Sequence, residues 1–289
     1  MKLSTLKLED IYWRIKAGSS IRKATSFDVR NELNDTIKEP VFFLSTGRCG
    51  TKWFSDLLNI DKSLFVNHAP VPSLAIQSKI AYAYTNQLAN PDIKSLLKEL
   101  FLTAREQHLR YTYKTGKRYV ETNNYVTFFA PLLAELFPDA KFVHLVRHPA
   151  AFIRSGMRRD YYTASNQDSK RITPLQNTSY YDKWCSFSRL EKIAWLWKET
   201  NDYIEQFKAA HSNHITFVFD ELNTEQVQKV LDFLEIAIPV KKIEGRLAQK
   251  KNKQSAGVFP KYENWKQSDK EKMIGLCKEG METYKMTHS

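Results

Sequence analysis

The chain has 289 residues, 42% of them hydrophobic and 26% charged, with a formal net charge of +12. This is the composition of a folded domain; it excludes a disordered, collagen-like or repeat protein, and the length suits a single α/β domain. Cys49, Cys185 and Cys277 are odd in number and widely spaced, which excludes a disulfide framework or a metal cluster and predicts a reducing compartment. Residues 1–18 lack the apolar core of a signal peptide, and no run approaches the roughly 18 apolar residues of a membrane span, so the expected location is cytoplasmic. The positive charge predicts an anionic partner without choosing among a nucleotide, a charged glycan and nucleic acid.

Residues 1–39 read as a basic lead-in, with Leu6, Leu8, Ile11, Tyr12 and Ile15 marking an amphipathic helix packed on the flank of the domain that follows. Val41-Phe42-Phe43-Leu44 is a short apolar run of the kind that forms a strand buried on both faces. A turn with Gly47 and Gly50 follows, then the helix pattern of Trp53, Phe54, Leu57 and Leu58. Strand, glycine turn and helix together aim backbone N–H groups and a helix N-terminus at one anion, and Arg48 and Lys52 add full positive charges. The turn is not a Walker A loop, because only two residues separate its glycines and Thr51 precedes Lys52.

Residues 63–70 read as a second short strand that ends in a polar turn, with His68 just past the apolar residues, where the C-terminal edge of an open α/β sheet places ligands. Residues 72–112 read as helices broken near Asn90-Pro91. A third strand with a polar end is expected over 119–123, and within it Glu121 is either a base or a partner that orients a loop or holds Arg48. A fourth covers 141–146, with His144 inside it as a satisfied core histidine. Arg147-His148-Pro149 leaves that strand and opens a helix, Pro149 being suited to the first turn. Ser155 stands about two turns further on, so that Arg147 and Ser155 can converge on one phosphate, Arg through its planar, bidentate fork. Residues 163–183 form a polar loop, a long helix is expected over 184–207, a fifth strand over 215–219 and a short helix over 227–234. The basic stretch 241–272 reads as a solvated face, and a closing helix covers 273–284.

The order Arg48-Cys49-Gly50-Thr51-Lys52-Trp53 directly after the first strand resembles the phosphosulfate loop of the sulfotransferase family, of bacterial type. Lys52 departs from it, standing where the family usually has a second hydroxyl. Arg147 and Ser155 match the family's pair for the 3′-phosphate, and the resemblance runs from about residue 40 to 285. It implies a three-layer α/β fold, with a central parallel sheet of about five strands flanked by helices, P-loop nucleotide-hydrolase-like. It divides the chain into the lead-in, 1–39, and a sulfotransferase domain, 40–289.

The implied activity is transfer of a sulfuryl group from 3′-phosphoadenosine 5′-phosphosulfate to a hydroxyl or amine, with no metal. The exposed tyrosines and basic surface tilt the acceptor toward a carbohydrate. Arg48 would face the leaving phosphate, Cys49, Gly50, Thr51, Lys52 and Trp53 would cradle the nucleotide, and Asn252 and Lys253 would reach back over it. His68 or Glu121 would take the acceptor's proton; relatives often read His-Glu-Pro where this chain has His68-Ala69-Pro70. A nucleotide-triphosphate enzyme would need a Walker Lys and a Mg²⁺-binding Asp after a strand. A nucleic-acid-binding protein would interleave basic and base-stacking residues. Neither accounts for Arg147 with Ser155.

Overall fold

The computed structural model describes residues 37–84, 90–164, 168–176, 178–249 and 257–287. The expected lead-in helix, Asn252 and Lys253 lie outside these residues. Five strands, β1 (Val41–Leu44), β2 (Leu64–Asn67), β3 (Arg118–Glu121), β4 (Lys141–Val146) and β5 (His214–Val218), form one sheet in the order β2-β3-β1-β4-β5. Every pairing is parallel. Parallel sheets need both faces covered, which explains why β1 and β4 are buried along their whole length.

Alternate residues of β1 serve the two sides. Phe42 and Leu44 join the larger core, while Val41 and Phe43 join the other. The smaller face is covered by α1 (Thr51–Leu58), which inserts Phe54, Leu57 and Leu58. With it stand α7 (Thr224–Leu234) and α8 (Val240–Leu247). The opposite face carries α2 (Ala75–Ala83), α3 (Pro91–Thr115), α4 (Ala130–Leu136), α5 (Pro149–Met157), α6 (Arg189–Ala210) and α9 (Gln267–Thr283). The helix after β1 and the helix after β4 thus lie on opposite faces, so the chain opens a crevice at the C-terminal ends of these neighbouring strands. In open α/β sheets this is where ligands bind.

Local signals set the element ends. Asn90 caps α3, accepting from the Asp92 N–H at 2.8 Å, with Pro91 behind it, so the break expected at Asn90-Pro91 is the boundary between two helices. The long helix begins at Arg189, later than the apolar pattern suggests, because Ser188 and Glu191 form a reciprocal capping box. The stretch 241–272 is not merely a solvated face: most of α8 falls in it, burying Ile243 and Arg246. Among the described residues no helix is long and apolar enough to cross a membrane.

Candidate active site

The loop leaving β1 is held from beneath by a threonine of the neighbouring segment. The Thr127 hydroxyl donates to the Ser45 carbonyl and accepts from the Ser45 N–H, both at 3.0 Å. Ser45 Oγ in turn accepts from the Gly47 N–H at 3.0 Å. Gly47 (φ 75°), Arg48 (φ 62°) and Gly50 (φ 96°) all take left-handed backbone, which winds the turn tightly enough to enter α1 directly. Gly50 caps α1 without a side chain, and the first turn holds no acid, so the helix N-terminus keeps its positive end uncompensated. Arg48 is exposed and Thr51 buried.

Cys49 turns inward. Its thiol donates to the Gly47 carbonyl at 3.1 Å and lies 3.0 Å from the Thr46 hydroxyl, and burial pushes its pKa up to about 11. It is a packing element of the loop that offers its backbone N–H, and not a nucleophile. Lys52 leans back along its helix to Asp56 at 2.6 Å, and Asp56 also accepts from Arg246 of α8. Trp53 is half-buried, edge-on to Phe54 at 5.1 Å.

The second motif meets this loop across the crevice. Arg147 Nη1 donates to the Arg48 carbonyl at 3.0 Å, although the two residues are far apart in the chain. Trp197 Nε1 donates to the Arg147 carbonyl at 2.7 Å, and the guanidinium lies 5.8 Å from the Phe219 ring centre. Asp220 stands 4.0 Å from Arg147 Nε and accepts from the His148 N–H. Ser155 is half-buried, and its hydroxyl accepts from Arg159 Nη1 at 3.1 Å. Burial and the charge of Arg48 hold the Arg159 guanidinium below its ordinary pKa. The sequence pattern does not single out Arg159; its place one helical turn beyond Ser155 was the available signal.

The segment beginning at Gly257 is tied down along α5. Arg158 Nε donates to the Gly257 carbonyl at 2.9 Å and Arg154 Nε to the Phe259 carbonyl at 3.1 Å. A Cβ on Gly257 would stand 2.5 Å from the Arg158 carbonyl oxygen, so only glycine allows this approach.

The two candidate bases have contrasting surroundings. His68, exposed at the end of β2, has Nδ1 2.9 Å from the Thr122 hydroxyl. Partial desolvation and the Lys52 cation hold its pKa below the ordinary histidine value. Glu121 is fully buried. Arg105 grips it with both arms, at 2.8 and 2.7 Å, the Tyr119 hydroxyl donates at 2.6 Å and Asn123 Nδ2 at 3.2 Å. Its partner is thus Arg105, and not Arg48. His144 is a core histidine, with Nε2 3.0 Å from Asn201 Oδ1.

A family model described as "Sulfotransferase family" matches residues 40–239. No curated protein matches the chain in sequence. The fold is similar to that of the sulfotransferase STF9 from Mycobacterium avium (TM-score 0.54, 12% identity, 95% of this chain and 82% of that one covered). It is also similar to that of STF1 from Mycobacterium tuberculosis H37Rv (TM-score 0.49, 14% identity, 93% of this chain and 86% of that one covered). The five-stranded parallel sheet with helices on both faces is P-loop nucleotide-hydrolase-like.

Proposed function

The chain belongs to the sulfotransferase family, and on that premise we propose that its donor is 3′-phosphoadenosine 5′-phosphosulfate and its acceptor a hydroxyl, or amine, of a carbohydrate or glycoconjugate. The observation that carries this reading is the hydrogen bond from Arg147 to the Arg48 carbonyl, which brings the loop after β1 and the end of β4 together. The donor supplies an activated sulfuryl group, and the protein positions the reactants and stabilises developing charge.

In this reading the N–H groups of 49–53 and the Thr51 hydroxyl hold the 5′-phosphate at the start of α1. Arg147, Ser155 and Arg159 hold the 3′-phosphate. Arg48 faces the oxygen that bridges phosphorus and sulfur, where negative charge grows as the S–O bond breaks in line with the incoming oxygen. It acts as a fixed charge, since a guanidinium does not readily give up a proton. Trp53 lies against the adenine, and Asn252 and Lys253 close over the nucleotide. His68 accepts the acceptor's proton as the new O–S bond forms, a task suited to a neutral imidazole. Glu121 is not the base in this scheme, because Arg105, Tyr119 and Asn123 occupy its carboxylate away from solvent. No step requires a metal. The 1–39 segment is a lead-in to a single catalytic domain, and the protein works in the cytoplasm.

Calorimetric titration with adenosine 3′,5′-bisphosphate tests the donor site. Micromolar or tighter binding is expected for the unaltered protein. Arg147→Ala should lose about tenfold to a few hundredfold, since charge-assisted hydrogen bonds are worth roughly 1.5–3 kcal/mol. Adenosine 5′-monophosphate should bind weakly. If the bisphosphate binds no better than the monophosphate, the donor assignment is wrong.

A further inference from the structure

His68 follows the last residue of β2 and is exposed, yet the chain on either side of it is fastened. Before it, the Asn67 carbonyl accepts from the Thr122 N–H at 2.9 Å, which carries the β2–β3 ladder one residue past the end of β3. After it, Ala69 takes left-handed backbone (φ 52°) and turns the chain off the strand. The Pro72 carbonyl then accepts from Arg105 Nη1 at 2.6 Å, and the Ser73 carbonyl from Asn123 Nδ2 at 3.1 Å. The backbone that carries His68 is thus tied to α3 and to the end of β3, and the freedom left is rotation of the imidazole.

Thr122 limits that rotation. It is fully buried, and its hydroxyl lies 2.9 Å from His68 Nδ1. The other ring nitrogen, Nε2, makes no hydrogen bond among the described residues. A neutral imidazole has one N–H and one lone pair, and the hydrogen bond at one nitrogen decides which of them the other keeps. A hydroxyl both donates and accepts, so this contact is compatible with either tautomer. If it accepts from Nδ1–H, Nε2 keeps the lone pair that a proton acceptor needs. If it donates to Nδ1, Nε2 carries the proton and is no base.

We propose that Thr122 is the positioning residue of His68: its hydroxyl accepts from Nδ1–H, fixes the ring, and leaves the Nε2 lone pair for the acceptor hydroxyl. The inference rests on the reading of His68 as the proton acceptor and adds the atom that takes the proton. In the transfer step the acceptor's proton passes to Nε2 and its oxygen bonds to sulfur, while the S–O bond to the leaving bisphosphate breaks. The Nδ1–H bond to Thr122 persists and strengthens, because the ring is then a cation. Burial, Lys52, Asp56 and Arg48 also act on the charge of this ring, and Glu121, next to Thr122 in the chain, is paired with Arg105. All of these stay the same when only the Thr122 hydroxyl is removed.

The test is long-range proton–nitrogen NMR correlation on the full chain with isotope-labelled histidine, which reports the protonated nitrogen and the pKa of each ring without any acceptor. The His68 signals are those lost in His68→Gln. In the unaltered protein the neutral ring should carry its proton on Nδ1. Thr122→Val keeps the shape and removes the hydroxyl, so it should lose this preference and lower the His68 pKa, since the lost bond favours the charged ring. Thr122→Ser should retain both. The other histidine rings should not move, and a thermal melt confirms that each variant is folded. The proposal is overturned if the neutral ring carries its proton on Nε2, a result that needs no variant at Thr122. It is equally overturned if Thr122→Val raises the pKa, or leaves tautomer and pKa unchanged. The two readings fail separately. Turnover retained in His68→Ala with the proton on Nδ1 removes the proton-acceptor reading only, and turnover lost in His68→Ala with the proton on Nε2 removes the Thr122 assignment only.

Discussion

Gly50 and Phe219 touch where the loop after β1 meets the end of β5: a Cβ on Gly50 would stand 2.1 Å from Phe219 Cε2. The glycine also carries φ 96°, so an alanine there meets two separate obstacles. Phe219 in turn lies under the Arg147 guanidinium, so a displaced ring moves the residue that fastens the Arg48 carbonyl. Gly50→Ala is expected to cost about 1–3 kcal/mol, the range for overpacking, and to weaken bisphosphate binding. Adding Phe219→Ala should restore the steric part and leave the backbone part. Melting temperatures and calorimetry on the two variants decide this; full recovery in the double variant would show that the left-handed backbone costs nothing.

His68 carries the second prediction. Its replacement by Ala should lower kcat about 10²–10⁴-fold, the usual contribution of a general base, and leave bisphosphate affinity unchanged. Because desolvation and Lys52 disfavour the imidazolium, the acidic limb of kcat should lie below pH 6.5, the ordinary histidine value. Lys52→Thr removes the cation and leaves Asp56, which favours the imidazolium, so the pKa rises and activity is lost at a higher pH. A pH profile unmoved by Lys52→Thr would detach Lys52 from the base.

The strands and both motifs were legible in the sequence because their signals are local. Val41–Leu44 and the apolar core of 141–146 are buried runs, and Arg147 stands at the tip of the second as Arg48 does beyond the first. The capping box at Ser188 was legible too, and would have corrected the start of α6. Other features were not legible, since they depend on packing between distant residues. Glu121 meets Arg105 only when α3 lies across β3, and Thr127 reaches Ser45 only once the 124–129 turn lies beside β1. Helix α8 offers few apolar residues to a periodicity argument, and is held partly by the pairing of Arg246 with Asp56.

The Arg105–Glu121 pair leads to a prediction about stability. Both side chains are fully buried, and the pair is joined at 2.7 Å. Removing one partner leaves a buried charge uncompensated, so Glu121→Ala should destabilise by about 3–5 kcal/mol, measured by urea unfolding. If Glu121 supports the scaffold, the folded fraction should keep its bisphosphate affinity and most of its turnover. A rate loss of about a hundredfold or more at unchanged stability would instead make it a general base.

Glu205 gives a pH dependence of stability. Burial works against its charged form, but His144, Lys208 and Tyr284 outweigh it and hold the pKa at about 2, against 4.5 for an ordinary glutamate. A carboxyl whose folded pKa is depressed adds stability above its unfolded pKa and loses it as pH falls toward the folded one. The Glu205 contribution is therefore complete above about pH 4.5 and declines toward about pH 2. His144, buried with its pKa held below 6.5, adds a separate acid sensitivity that begins nearer neutrality. Urea midpoints measured from neutral to acid pH should fall in both windows. Glu205→Gln should flatten the lower window and leave acid sensitivity near pH 6, whereas His144→Asn should flatten the upper one. If Glu205→Gln leaves the slope below pH 4.5 unchanged, the contacts from Lys208 and Tyr284 do not hold that carboxylate in solution.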